Sequence, residues 1–206
     1  MVNINRVYTG GGDGGESSLV DGSRRKKSDV RFDVVGVCDE VNSWLGMVLA
    51  ELHRLPDHED GGERTNVQRV QTVLNEALVR VQNELFDLGA ELACPPATLP
   101  EYMVLLSQEQ TDVLMAEMDA WLASLPPLTS FILPAGSPPV ANMQVTRTVV
   151  RRLERAIVRL VDHEGEDAVR PLVLVYVNRL SDWFFVMGRW VSMMLNEPEA
   201  LWVPLG

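Results

Sequence analysis

Five stretches of this chain carry apolar side chains at three- and four-residue steps, and that period restricts the fold more than any other feature. In the first, Val34, Cys38, Val41, Leu45, Val48 and Leu52 line one helical face; in the second, Val70, Leu74, Leu78, Val81, Leu85, Leu88 and Leu92 repeat the pattern until CPP ends it. The charged segment DHEDGGERTN separates the two as a loop. Ser107 and Gln110 form a capping-box pair ahead of Leu114, Met118 and Leu122, and the prolines at 126 and 127 stop this third helix. A fourth helix is expected from about Asn142 to His163. A fifth opens near Pro171, where a missing N–H costs nothing, and continues through Leu195; its start, LVLVYV, is strand-like taken alone, but the spacing persists without a turn signal. Without alternating strand pairs or an internal repeat, the chain reads as all-α, an antiparallel five-helix bundle.

The 206 residues suffice for a substantial core in one domain, divided here into a flexible arm over 1–28 and a bundle over 29–206. A formal charge of -11 argues against general nucleic-acid or anionic-membrane binding, so any polyanion must meet local positive charge. Cys38 and Cys94 belong to no C-x-x-C pair and read as buried thiols of a cytoplasmic protein. No apolar run reaches membrane-span length. The histidines, His53, His58 and His163, show neither triad nor metal spacing, and surface roles are expected for them.

Three segments stand outside core building. In YTGGGDGGESS, Tyr8 to Ser18, five of eleven residues are glycine. Gly10, Gly12 and Gly15 formally satisfy G-x-G-x-x-G without the strand and helix that fingerprint requires, and Glu16 stands where a P-loop would need lysine. The segment is a frayed arm or a loop whose N–H groups wrap an anion. In QVTRTVVRRLERAIVRL, Arg147, Arg151 and Arg155 recur at i, i+4 and i+8, with Glu154 on the same face and Arg152 and Arg159 along its edge. Such arginines need a compensating anion, either a carboxylate or a triphosphate whose oxygens suit the guanidinium fork. The proline-rich, apolar loop SLPPLTSFILPAGSPP is a candidate site wall. Asn178 and Asp182 share a face of the fifth helix, Asp39 is expected to pair with a helix-four arginine, and no nucleophile with a companion base emerges.

The ordered set YTGGGDGGESS, KSDVRFDVVGVCDEVNSWLG, SFILPAG, RTVVRRLER and YVNRLSDWFF resembles the PduO-type ATP:cob(I)alamin adenosyltransferases over nearly the whole chain. The resemblance implies a ferritin-like five-helix bundle assembled as a homotrimer, with ATP in a cleft between subunits. It also implies transfer of the 5′-deoxyadenosyl group of ATP to the cobalt of cob(I)alamin, with Mg²⁺ on the ATP phosphates and no metal held by side chains. By the same resemblance, Thr9, Gly10, Gly11, Gly12, Ser17, Ser18 and Lys27 contact ATP; Arg151 is the catalytic arginine; Arg152, Glu154, Arg155 and Asn178 complete the nucleotide site. Asp39 and Arg147 match an intersubunit salt bridge, and Phe131 and Phe185 match aromatics of the corrinoid pocket, where the first displaces the lower cobalt ligand. Relatives of this pattern carry T-x-T-G-D-K/D-G, whereas Gly11 and Gly14 stand here at the second threonine and after Asp13, which implies looser ATP binding. A reductase and an adenosylcobalamin-dependent acceptor enzyme are implied partners. A non-catalytic trimer that binds nucleotide and corrinoid to sense or deliver the cofactor is the alternative.

Overall fold

The computed structural model describes residues 8–56 and 65–205. Five helices dominate: α1 Val30–His53, α2 Asn66–Leu92, α3 Gln108–Leu122, α4 Pro138–Glu164 and α5 Pro171–Met194. Local signals set their ends. Asp29 caps α1 by accepting from the Arg31 N–H, Thr65 caps α2, and the expected capping box opens α3. The capping Thr65 and the helical Asn66 come from the segment read as loop, whose residues 57–64, including His58, lie outside the described residues. Helix α4 starts earlier than the expected Asn142, because Pro138 and Pro139 occupy its first turn, where no intrahelical N–H is needed. LVLVYV is helical in α5, as its continuing period requires.

Consecutive helices run in opposite directions. Asn42 bonds Gln82 and Gln71 bonds the Leu52 carbonyl, which sets α1 against α2; Arg31 meets Glu164 and Arg152 meets Glu40, which sets α1 against α4. Helices α3 and α5, which are not consecutive, pack side by side in the same direction, with Trp121 between Trp183 and Trp190. The apolar positions predicted for α1 and α2 are all buried in one core shared by the five helices.

That core encloses a polar network absent from the sequence reading. Arg80 of α2 donates to Glu84 and, through both carboxylate oxygens, to Glu117 of α3; Trp183 donates to Glu117 at 2.7 Å and Tyr176 to Glu84 at 2.7 Å. Every charge there is paired, so the network specifies how α2, α3 and α5 fit together without stranding a buried ion.

The arm is more ordered at its far end than its glycine content suggests. Glu16–Ser18 (β1) pairs antiparallel with Arg24–Lys26 (β2), with Glu16 opposite Lys26. The hairpin rests on the bundle through the Val20 N–H, which donates to the Ala93 carbonyl, and through Leu19, which is buried. The glycines themselves remain outside the strand, in turns over residues 10–15.

Candidate active site

Helix α4 carries the cationic stripe along the bundle surface. Arg151 and Arg155 are exposed and, among the described residues, have no carboxylate within salt-bridge range. Arg152 is paired with Glu40 of α1, and that hydrogen bond and charge hold the Glu40 carboxyl below the ordinary range. The partner expected from α1 is therefore Glu40, not Asp39, within the chain. One residue along a helix turns the side chain by about 100°, which places Glu40 towards α4 and Asp39 towards α2. Glu154 accepts from Asn178 at 2.8 Å, and Asn178 in turn accepts from Arg179, which also holds Asp182. Asn178 and Asp182 thus share one surface network, and it fixes the Glu154 carboxylate beside the arginines.

At the N-terminal end of the stripe lies a cavity of about 590 Å³, walled by Phe131, Ile132, Arg147, Phe185 and Trp202. Arg147 stands 6.0 Å from the Phe185 ring centroid and donates to Gln144. Burial, with a smaller push from the Arg151 charge, lowers its pKa from the usual arginine value. Phe131 is 78% exposed and meets Trp202 edge-on at 6.1 Å. The proline-rich loop is a wall here, as expected, but the sequence reading missed its other half. The C-terminal segment returns beside it: the Leu133 N–H donates to Ala200 and the Trp202 N–H to Phe131, both at 2.7 Å. A tryptophan after the last helix, in a run with no period, was the one available signal.

The glycine turn is set by cations. Arg24 donates to the Gly11 carbonyl at 2.8 Å, and Lys27 crosses Gly12 so closely that a Cβ there would stand 3.0 Å from its ammonium. Gly10 has a φ of +72°. Ser17 and Ser18 lie on β1, Lys27 directly follows β2 and Thr9 precedes the turn, and Arg25 ties the second strand to Glu164 at the end of α4. Arg31, fully buried, also bonds Glu164 and donates to the carbonyls of Leu92, Cys94 and Ala168. Burial alone would raise the Glu164 carboxyl, but the hydrogen bonds and charges of Arg31 and Arg25 hold it below the ordinary glutamate value.

Asp39 is exposed in a groove between α1 and α2 of about 400 Å³, shared with Gln82, Asn83 and an exposed Phe86. It does not meet Arg147 within the chain. Cys38 and Cys94 are buried free thiols, with Cys38 pushed by burial to about 12. Among the described residues no cluster of His, Cys, Asp or Glu could hold a metal ion, and no helix is long and apolar enough to cross a membrane.

The chain is a helical bundle with an arginine stripe on its surface, an aromatic-walled cavity at the N-terminal end of that stripe and a separate glycine turn, surfaces whose chemistry suits a polyanion and a partly apolar ligand. Comparison with known sequences narrows that class: the family described as cobalamin adenosyltransferase matches residues 7–191, and the chain belongs to it. A corrinoid adenosyltransferase of Mycobacterium tuberculosis is 39% identical over 206 residues, covering 100% of this chain and 96% of that protein. One of Bacillus subtilis is 37% identical over 187 residues, covering 91% and 86%. A Lactobacillus reuteri PduO-type ATP:corrinoid adenosyltransferase, a phenylalanine-to-alanine variant complexed with cobalamin and ATP, superposes with a TM-score of 0.81 at 29% identity, covering 96% of this chain and 99% of that one.

Proposed function

We propose that this protein is a corrinoid adenosyltransferase that moves the 5′-deoxyadenosyl group of ATP to the cobalt of cob(I)alamin and releases triphosphate. The carrying observation is an arginine stripe that runs along α4 from Arg147, in the wall of a cavity shared with Phe131, Phe185 and Trp202, to Arg151 and Arg155, which have no carboxylate partner among the described residues. The electron pair of Co(I) forms the cobalt–carbon bond at C5′ as the C5′–O bond breaks, and its electrons leave on the triphosphate. No protein nucleophile is required. What the chain supplies is alignment and charge. Arg151, with Arg155, stabilises the growing negative charge of the leaving group. Arg152 and Glu154, oriented by Glu40 and Asn178, hold the nucleotide beside it. Thr9, Gly10, Gly11, Gly12, Ser17, Ser18 and Lys27 wrap the phosphates, with Mg²⁺ bound to phosphate oxygens. Phe131 and Phe185 receive the corrinoid.

The assembly we propose is a homotrimer. Asp39 is exposed in its own groove and Arg147 borders the cavity, so their pairing requires two copies. Among the described residues, no hydrogen bond or ion pair joins the glycine turn to Arg147, Arg151 or Arg155. A cleft between subunits would bring these halves to one ATP. Sedimentation of a fully active monomer would defeat this assembly. A cytoplasmic location accords with two buried free thiols.

Anaerobic incubation with ATP, Mg²⁺ and chemically reduced cobalamin tests the activity, with the adenosylcobalamin spectrum as the expected product. Binding of both ligands without that product would favour a non-catalytic carrier.

A further inference from the structure

The two strands that wall the cavity have little core of their own. Phe131 is largely exposed, and Trp202 is 46% exposed. Burial therefore does not determine where these rings stand. One buried side chain bonds the approach to each of them. Arg189 of α5, 5% exposed, donates through Nε to Glu199 at 2.8 Å and through a terminal nitrogen to the Pro126 carbonyl at 2.9 Å. Glu199 precedes Ala200 and Trp202, whose backbones pair with Leu133 and Phe131. Pro126 opens the loop that leads to Phe131. The planar guanidinium thus fixes the start of one strand and the entry of the other from a single rigid helix.

Two further features feed the same junction. Asn196 takes a left-handed conformation, φ 55°, which turns the chain back after α5, and Glu197 then accepts from the Ser137 N–H at 3.0 Å. Gly136, φ +127°, leaves room that a Cβ would lose, since it would stand 2.8 Å from Val140. Loop and tail are held at both ends, but among the described residues only Arg189 bonds both from the core.

We propose that Arg189 is a positioning residue for the corrinoid side of the reaction, setting Phe131 and Trp202 as one unit through Pro126 and Glu199. This rests on the corrinoid reading of the cavity given above. Arg189 touches no reacting group, and its effect passes through the wall alone. Replacing it with lysine keeps the charge but loses the fork, so one ammonium cannot serve both partners in the same geometry.

The test uses Arg189→Lys and the milder Glu199→Gln in the full-length protein, with two independent readouts. Hydrogen exchange should rise together in peptides covering 128–134 and 198–205. The KM for cob(I)alamin should rise by about tenfold, the order expected when a hydrogen bond to a charged group is lost, while the KM for ATP stays within about twofold. Exchange that rises in one segment only, or in neither, overturns the proposal, as does a KM for ATP that rises in step with that for corrinoid. Coupled loosening with an unchanged corrinoid KM overturns it by a different route, because it shows that this cavity does not receive the corrinoid. Should Arg189→Lys fail to fold, Glu199→Gln carries the same comparison, since Glu199 lies at the surface side of the pair.

Discussion

The glycine arm and the cavity wall are both non-helical, and they are held in different ways. The wall is clamped by a buried arginine and four backbone or side-chain bonds between its strands and their flanks. The arm has a short hairpin, one buried leucine, and glycines whose turns are fixed by exposed cations. Ordering many glycines costs backbone entropy that little burial offsets. From that difference we propose that one substrate surface is largely preformed and that the other gains its order from the ligand.

The strongest challenge lies between the two regions. Arg151→Ala should lower kcat on the order of 10² or more, as for loss of a preorganised donor, while the bundle stays folded. Its side chain is exposed and has no carboxylate partner among the described residues, so removing it takes nothing from the core. Steady-state kinetics with circular dichroism decide this, and an unchanged kcat would remove Arg151 from its role.

Next come two deletions with opposite signatures. Removing residues 8–18 should raise the KM for ATP by about tenfold or more with the helix content kept, because the lost groups are the proposed phosphate contacts and not core. Phe131→Ala should instead weaken corrinoid turnover and leave the KM for ATP near its starting value. A swapped pattern would break the comparison. Hydrogen exchange with and without MgATP sharpens it: protection should grow in peptides covering 8–18 and change little in 128–134.

The same contrast governs what was legible in the sequence. Helices were readable because burial imposes a period, and Val34 to Leu52 or Val70 to Leu92 follow it position by position. The arginine stripe was legible from its four-residue spacing and the glycine segment from its composition, and the resemblance added the roles proposed for them. Trp202, Arg189 and Glu199 escaped because a strand that leans on another strand leaves no period, and a buried arginine reads like a surface one. Glu40 escaped for a local reason: it neighbours Asp39, and only the helical phase separates the side that meets α4 from the side that does not.

A pH experiment examines the arm's tie to the bundle. Because the Glu164 carboxyl lies below its ordinary value of 4.5 when folded, its stabilising contribution is present above that value and is lost as pH falls through the lower folded one. Glu164→Gln should therefore lower the melting stability at pH 7 by about 1–2 kcal/mol, less than for a fully buried pair because the amide keeps an acceptor and the site is partly exposed. The gap between variant and wild type should close as pH falls below 4.5 and through the lower folded value. A gap that persists there would mean that Glu164 acts through packing and not through its charge.

The smallest effect distinguishes steric fit from backbone strain within the glycine turn. At Gly12 an alanine Cβ would stand 3.0 Å from the Lys27 ammonium and 3.4 Å from the Glu16 carbonyl, so the neighbour that must yield is the end of a flexible side chain. At Gly10 a Cβ would meet nothing closer than 3.5 Å, but φ of +72° lies where side chains are strained by about 1–2 kcal/mol. If the arm is ordered only with ATP, that strain falls on the bound state and not on folding. Gly10→Ala should then raise the KM for ATP by about tenfold, and Gly12→Ala by only about two- to threefold, because lysine can swing aside and still meet a phosphate. Neither should move the thermal midpoint without nucleotide. A lowered midpoint for Gly10→Ala would show that the turn is already built in the free protein, and the arm would then belong with the wall as a preformed surface.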